Sequence, residues 1–455
     1  MMHKSFPLTT INNEKNTVYL PPSIKQIDTI NSVSFGSFTC QCTILPHREQ
    51  KEEVLVSQDV YEQLKIPSNG HIHLFQQEDT IHIGPLIGIF TAGFTNSLLR
   101  PIGERSLFFA KILTVQKSVG AFAFVFGVQQ INWEKGTING YFYNKSGWET
   151  IEVPFPHVIY DRLPNRKTEN LHALKQIKHR LKDEYLIPWF NPGFFNKWEV
   201  HQLLHKDTNI SRYFPETHKH PTFSLLERML SSYGHVFLKP ENGSLGLGVY
   251  QFIYSRAEEA YYCRYRDEKN NNRLRKFSSL EKMVNFLFKN KQLKHYIVQQ
   301  GISLVRIDEK KVDFRVHTNK NEDGKWQVSA VAAKIAGKGS VTTHLNNGGV
   351  VKTVDEIFPN KAEYQKIMNQ LENVALTLSE SIDEKVEGTI GEIGFDLGID
   401  KNNEIWVFEA NSKPGRSIFS HPKLKKHDLL TRQLSMSYAL YLTEKAIKVP
   451  EELYQ

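Results

Sequence analysis

Between Gly391 and Asn411 the chain reads as two apolar strands joined by a tight turn, and this hairpin limits what can be built around it. Gly391-Glu-Ile-Gly-Phe-Asp396-Leu-Gly-Ile-Asp400 forms the first strand. Lys401-Asn-Asn403 makes the turn, and Glu404-Ile-Trp-Val-Phe-Glu409-Ala-Asn411 returns. Alternate residues of a strand share a face, so Glu409 and Asn411 project together and the hairpin brings Asp396 alongside them. Carboxylates on apolar strands are costly to bury without a cation. Three oxygen donors suit a hard ion such as magnesium, which completes its octahedron with phosphate oxygens and water. The plainer alternative is a pair of carboxylates at a sheet rim with a capping asparagine.

Three blocks upstream bear on the same chemistry. Val236-Phe-Leu-Lys239-Pro240 ends a strand, and Gly243-Ser244-Leu-Gly246-Leu-Gly248 follows as a glycine-rich loop before a second strand. Glycines let backbone amides approach phosphate oxygens closely, and Lys239 can neutralise phosphate charge. The order is neither that of a Walker loop, where Lys-Ser/Thr follows the glycines, nor the dinucleotide G-x-G-x-x-G, since no helix follows. Next, His295-Tyr-Ile-Val-Gln299-Gln300-Gly301-Ile302 is an apolar strand entering a polar segment that can meet an adenine edge and a ribose. In Lys311-Val-Asp313-Phe-Arg315, Asp313 and Arg315 share a strand face. They read either as a solvated salt bridge or as a site where the planar fork of Arg315 grips phosphate or carboxylate. Lys334 adds a positive charge, and Asn346-Asn347-Gly348-Gly349 is either a substrate-facing loop or a turn.

The 455 residues allow two to four domains. At 40% hydrophobic and 23% charged the chain is neither disordered nor membrane-like. A net charge of +8 suits acidic partners, but no concentrated basic tail accompanies it, so nucleic acid is not expected. Three cysteines, Cys40, Cys42 and Cys263, argue against a disulfide framework; Cys40-x-Cys42 lacks a second pair at zinc spacing. The N-terminus lacks the apolar core of a signal peptide, which predicts a chain kept inside the cell. The apolar run Val119–Val128 is too short to span a bilayer and reads as a buried strand.

Residues 1–95 are strand-rich, with short alternating runs at 32–45 and 71–83 and a turn at Ser68-Asn-Gly70. Residues 96–190 alternate helix and strand, which predicts a parallel sheet. Helical spacing of Leu107, Phe108, Ile112 and Leu113 marks 105–117, and a second helix is expected over 168–181. Asp161-Arg162-Leu-Pro-Asn-Arg166 follows a strand, where open α/β sheets carry ligand loops; a polar turn explains it equally.

Taken in order, Lys239 before a glycine-rich hairpin, the Gln299–Ile302 segment, and an Asp followed thirteen residues later by Glu and two further by Asn resemble the ATP-grasp superfamily over about residues 190–445. Tyr160-Asp-Arg162-Leu-Pro-x-Arg166, Phe194-Phe-Asn-Lys197-Trp and Asp313-Phe-Arg315 make the fuller chain resemble the YheC/YheD family of spore-coat-associated proteins from endospore-forming bacteria, and its length favours the YheD type. Residue 161 is Asp where relatives are expected to carry Asn.

The resemblance implies an α+β ATP-grasp fold, two subdomains sandwiching ATP. They occupy 191–455 with a lid at about 221–298, behind a pre-ATP-grasp α/β domain at 96–190 and a β-rich domain at 1–95. It implies ATP and Mg2+ as cofactors. Asp396, Glu409 and Asn411 would hold the metal. Lys197, Lys239, Gly243, Ser244, Gly246, Gly248, Gln299, Gln300, Gly301 and Ile302 would hold the nucleotide. Arg315 and Lys239 would act in catalysis, and Arg162, Arg166, Asp313, Lys334, Asn346 and Asn347 would face substrate. The implied reaction is carboxylate–amine ligation through an acyl phosphate, on a peptide or coat component, by a protein made in the cytoplasm and placed at the forespore or spore coat; a homodimer is the family expectation. A kinase would use the same phosphate apparatus, and an assembly protein could use the site for regulation.

Overall fold

The computed structural model describes residues 4–241, 248–288, 293–343 and 348–453. Among these the strands assemble into four sheets. The candidate residues Gly243, Ser244, Gly246, Asn346 and Asn347 lie outside the described residues.

The first sheet uses strands between Phe6 and Gly84. Its short strands Ser32–Phe35, Phe38–Gln41 and Thr43–Pro46 divide the stretch expected at 32–45, and Gly70–Gln77 pairs with Thr80–Gly84 as a hairpin. Cys40 and Cys42 are free and buried here; burial pushes the Cys42 thiol up to about 12, which suits packing rather than metal binding.

The second sheet has a parallel core of Phe122–Phe126, Leu86–Phe90, Val158–Asp161 and Trp189–Phe190. Strands covered on both faces read as continuous apolar runs, and all of Phe122–Phe126 is buried. The helix Ser106–Leu113 packs on it through Phe109, Ile112 and Leu113. Leu107, which the spacing assigns to the apolar face, is instead 67% exposed. The helix expected over 168–181 breaks at Leu171, whose backbone is extended; Arg166–Glu169 is a single turn capped by Asn165, and His172–His179 starts afresh.

The third sheet is antiparallel: Thr217–Lys219, Tyr296–Gln300, His235–Pro240, Tyr250–Ser255, Ala260–Arg266 and Asn272–Phe277 in that order. The helices Phe223–Tyr233 and Leu280–Phe288 bury its apolar side through Leu226, Met229, Leu230, Met283 and Leu287. The fourth runs Val350–Lys352, Trp326–Ile335, Lys310–Lys320, Glu392–Ile399 and Ile405–Asn411, also antiparallel. The long helix Lys361–Lys385 covers one face with Ile367, Leu371, Leu378 and Ile382.

The helix Lys425–Lys448 joins these units. Met436, Tyr438, Ala439 and Leu442 enter the core of the parallel sheet, while Leu440 and Ile447 pack on Phe75 of the first sheet. A helix buried on several sides carries no clean amphipathic stripe. No helix among the described residues is long and apolar enough to cross a membrane.

Candidate functional site

The strand register gathers the charged residues. Arg315, Asp396 and Glu409 are direct cross-strand neighbours on three adjacent strands, and Asp313 pairs with Lys334 on the next row. Residues directly opposite in an antiparallel pair share a face with close Cβ atoms. Arg315 therefore meets Asp396 as a fork: Nε donates to Oδ1 and Nη2 to Oδ2, both at 2.9 Å. Lys334 Nζ adds a bond of 2.7 Å to Asp396 Oδ1 and lies 3.1 Å from Asp313 Oδ1. Thr343 donates its hydroxyl to the other Asp313 oxygen.

Burial alone would raise the Asp396 carboxyl, but Arg315 and Lys334 outweigh it and hold the group well below the usual carboxylate range. Asp313 goes the other way: burial dominates, and the Asp396 charge adds to it. Burial opposes the charge on Lys334 and Arg315 too, yet the facing carboxylates push both up.

A cleft opens beside this row, between the third and fourth sheets. Lys197, Lys239, Gln299 and Glu409 line it with Trp198, His201, Phe214, Thr217 and Phe408. Asn196 caps the helix Lys197–His205, accepting from the amides of Trp198 and Glu199, so Lys197 is the first helical residue. A lysine there adds positive charge to an end already positive, a placement that favours an anion. Its ammonium lies 3.5 Å from Glu409. Lys239 donates to Gln299 Oε1 at 2.5 Å and stands over the Phe408 ring at 5.7 Å. Burial first, then the Lys197 charge, draws its pKa down to about 8.

The 299–302 segment is fixed by backbone. Gln299 Nε2 donates to Thr217 Oγ1 at 3.1 Å, the Gln300 amide donates to the Glu216 carbonyl at 2.8 Å, and the Gly301 amide donates to the His235 carbonyl at 3.0 Å. A Cβ on Gly301 would come within 2.5 Å of that carbonyl oxygen, so the approach requires glycine. Ile302 is buried. Gly248, at φ +70°, closes the described end of the glycine-rich loop.

Asn411 lies two residues beyond Glu409 and pairs with Gly394. Asp396 Oδ2 accepts one hydrogen bond and Glu409 only the loose approach of Lys197, so lone pairs remain on both carboxylates. Among the described residues no three His, Cys, Asp or Glu side chains gather as a metal set; the candidate donors, two carboxylates and a carboxamide, are oxygen ligands of the kind magnesium takes.

Arg162 and Arg166 stand apart from the cleft. Arg162 is buried and donates Nη1 to Glu392 Oε1; Arg166 donates to the Phe195 carbonyl at 2.5 Å, steadying the segment before Lys197. Asp161 is fully buried, 2.6 Å from Lys413 Nζ, and accepts from Trp189 Nε1. Residues missed in the sequence are Trp198, His201, Phe214 and Thr217 in the cleft, and Asn191 behind it. Asn191 Nδ2 donates to the carbonyls of Glu392 and Ser412, and its Oδ1 accepts from the Gly391 amide, pinning both strands of the Asp396 hairpin. The i, i+3 pair Trp198 and His201 on one helix face was a signal that could have been read; nothing local marks Asn191.

A family model described as YheC/D like ATP-grasp matches residues 186–442. The chain belongs to this family, and its mixed helix-and-strand architecture is the ATP-grasp fold. It is 46% identical, over the whole of both chains, to the endospore coat-associated protein YheD of Bacillus subtilis. It is 26% identical to YheC of the same organism, over 65% of this chain and 81% of that one. Among solved structures it is similar to the D-alanine-D-alanine ligase from Coxiella burnetii, with 14% identity, a TM-score of 0.45, and 81% and 96% of the two chains covered; a likeness this low says nothing of activity.

Proposed function

We propose that this chain is a magnesium-dependent carboxylate–amine ligase that binds ATP and works at the endospore coat. The observation that carries the reading is the register placing Arg315, Asp396 and Glu409 side by side, next to a cleft lined by two lysines and by aromatic side chains. The adenine lies against Trp198, His201 and Phe214 beside the 299–302 segment. The phosphates point to Lys197, Lys239 and the loop ending at Gly248. Asp396, Glu409 and Asn411 are the residues that would hold magnesium, which when bound neutralises phosphate charge.

A substrate carboxylate oxygen attacks the γ-phosphorus, the bond from phosphorus to the bridging oxygen breaks, and ADP leaves. An amine then attacks the acyl carbon, the bond to phosphate breaks, and an amide, phosphate and a proton result. Arg315 and Lys334 stabilise charge on the transferring group, fixed beforehand by Asp396 and Asp313. No protein nucleophile is needed. The full-length likeness to YheD supports the coat location.

The test is an ADP-release screen over amino acids, peptides and coat polymers, with product analysis. An amide with ADP and phosphate is expected. A phosphorylated product with no amide would make the protein a kinase, and binding without turnover would leave a regulatory site. Undiminished turnover in Asp396→Asn with Glu409→Gln would sink the metal assignment.

A further inference from the structure

The third sheet ends on the strand Asn272–Phe277, which pairs with Ala260–Arg266 on one side only. The ATP cleft lies toward the opposite edge of that sheet, beside Thr217 and Gln299. An edge strand presents unpaired backbone N–H and C=O groups, and in an antiparallel ladder they belong to every second residue. Five of the six residues on this edge are exposed.

The edge is basic. Residues 260–277 hold six Lys and Arg side chains against two Asp and Glu, a net +4 within a chain of +8. Arg273 is held by Asp267 at 2.7 Å and Lys276 by Glu258 at 2.6 Å. Arg264 and Arg275 have no carboxylate within ion-pair distance among the described residues. Arg275 instead lays its guanidinium 3.8 Å from the centre of the Phe286 ring. Successive side chains of a strand alternate between its faces. Leu274 and Lys276 share one face with Arg264, the cross-strand neighbour of Leu274; Arg273 and Arg275 share the other, beside Phe286. Both faces therefore set cations next to open apolar surface, since Leu274 is 56% and Phe286 46% exposed.

Charges along an edge commonly guard against self-association. They do so here: a second copy of this strand would set Arg and Lys against Arg and Lys, and like charges directly opposite are destabilising. The same charges favour one kind of strand, an extended acidic one. Its backbone fills the open ladder and its carboxylates meet guanidiniums.

We propose that Asn272–Phe277 is a docking edge for an extended acidic peptide, which joins the third sheet as a further strand. The Asn272 end leads to the site. Its Nδ2 donates to the Lys338 carbonyl at 3.0 Å, and Lys338 lies on the stretch 336–343 whose Thr343 bonds Asp313. A docked peptide runs to the rim of the site and is the chain presented for ligation. That last step rests on the ligase reading; the docking does not.

The test is fluorescence anisotropy with the full chain, without ATP. The probes are labelled Thr-Glu-Thr-Glu-Thr-Glu, its Thr-Gln counterpart, the Thr-Glu peptide N-methylated throughout, and hexathymidylate. The Thr-Glu peptide is expected to bind at least tenfold more tightly than the other three, and to protect the backbone amides of 272–277 from hydrogen exchange. Arg275→Glu should weaken it at least tenfold. Equal affinity for the Thr-Gln peptide overturns the proposal, and so does binding that survives N-methylation or leaves 272–277 unprotected. Binding unchanged in Arg275→Glu or, should that variant not fold, in Arg273→Glu overturns it as well. Hexathymidylate binding as tight as the Thr-Glu peptide overturns the peptide assignment. Docking as expected with no amide formed on any peptide would sink the ligase reading alone.

Discussion

Arg315 and Asp396 stand directly opposite each other on adjacent antiparallel strands, and Arg315 spans both oxygens of the carboxylate at 2.9 Å. Breaking a buried pair on one side leaves an uncompensated charge and costs about 3–5 kcal/mol, whereas replacing both partners costs far less. Lys334 stays 2.7 Å from Asp396 and offsets part of that charge, so Arg315→Met alone should lower unfolding free energy in urea by less than that amount, and Arg315→Met with Asp396→Leu by less again. Additive losses in the double-mutant cycle would show that the pair is not coupled. Every one of these variants should lose ATP turnover.

Lys239 is charged below about 8 and neutral above it. If its charge holds phosphate, KM for ATP rises as pH climbs through that value, and Lys239→Arg flattens the rise. For stability the direction is set by the depressed folded value. Between about 8 and the ordinary 10.5 the unfolded chain holds the proton more firmly than the folded one, so this residue's contribution to stability improves as pH rises across that window. Lys239→Met should raise Tm at pH 7 while abolishing turnover, and the gain should fade toward pH 10.5. A lowered Tm at pH 7 would contradict the burial argument.

Trp198 offers the cleft a ring face next to His201, whose pKa burial draws down to about 4, leaving it neutral at pH 7. Stacking of a base on an aromatic ring is worth about 1–3 kcal/mol. Trp198→Ala should weaken ATP and adenosine binding by roughly tenfold or more, with little change in turnover at saturating ATP. Unchanged adenosine affinity would move the base elsewhere.

Lys413 and Asp161 form a buried pair at 2.6 Å, joining the loop after Asn411 to the parallel sheet. Lys413→Ala should cost about 3–5 kcal/mol in urea unfolding by stranding Asp161. Asp161→Asn should also destabilise, because Lys413 then keeps a buried charge with no counter-ion.

The hairpin holding Asp396, Glu409 and Asn411 was legible because both strands are short apolar runs and the turn between them is short. Which row each residue occupies was not, since register depends on the bulge between Asp396 and Leu397. Lys239, Gln299 and Arg315 could be named from their strands, but their partners come from distant segments: Gln299 meets Lys239 sixty positions away and Arg315 meets Asp396 across eighty-one. Leu107 was placed on the wrong face because its helix is short and followed at once by a second turn. The cluster at Glu392 was invisible for a stronger reason. Its members come from residues 105, 162, 392 and 416, and only the fold brings them together.

The helix Lys425–Lys448 buries side chains against the parallel sheet, the fourth sheet and the first. A ribosome releases this helix after every strand it touches. Until residue 448 emerges, the apolar faces awaiting Met436, Tyr438 and Leu442 stand open to solvent or to chaperones. Arg416, just upstream of that helix, is likewise held to Asp428 and Thr431 within it. Nascent chains therefore tie Arg416 to Asp428 and Thr431 only once this helix has emerged.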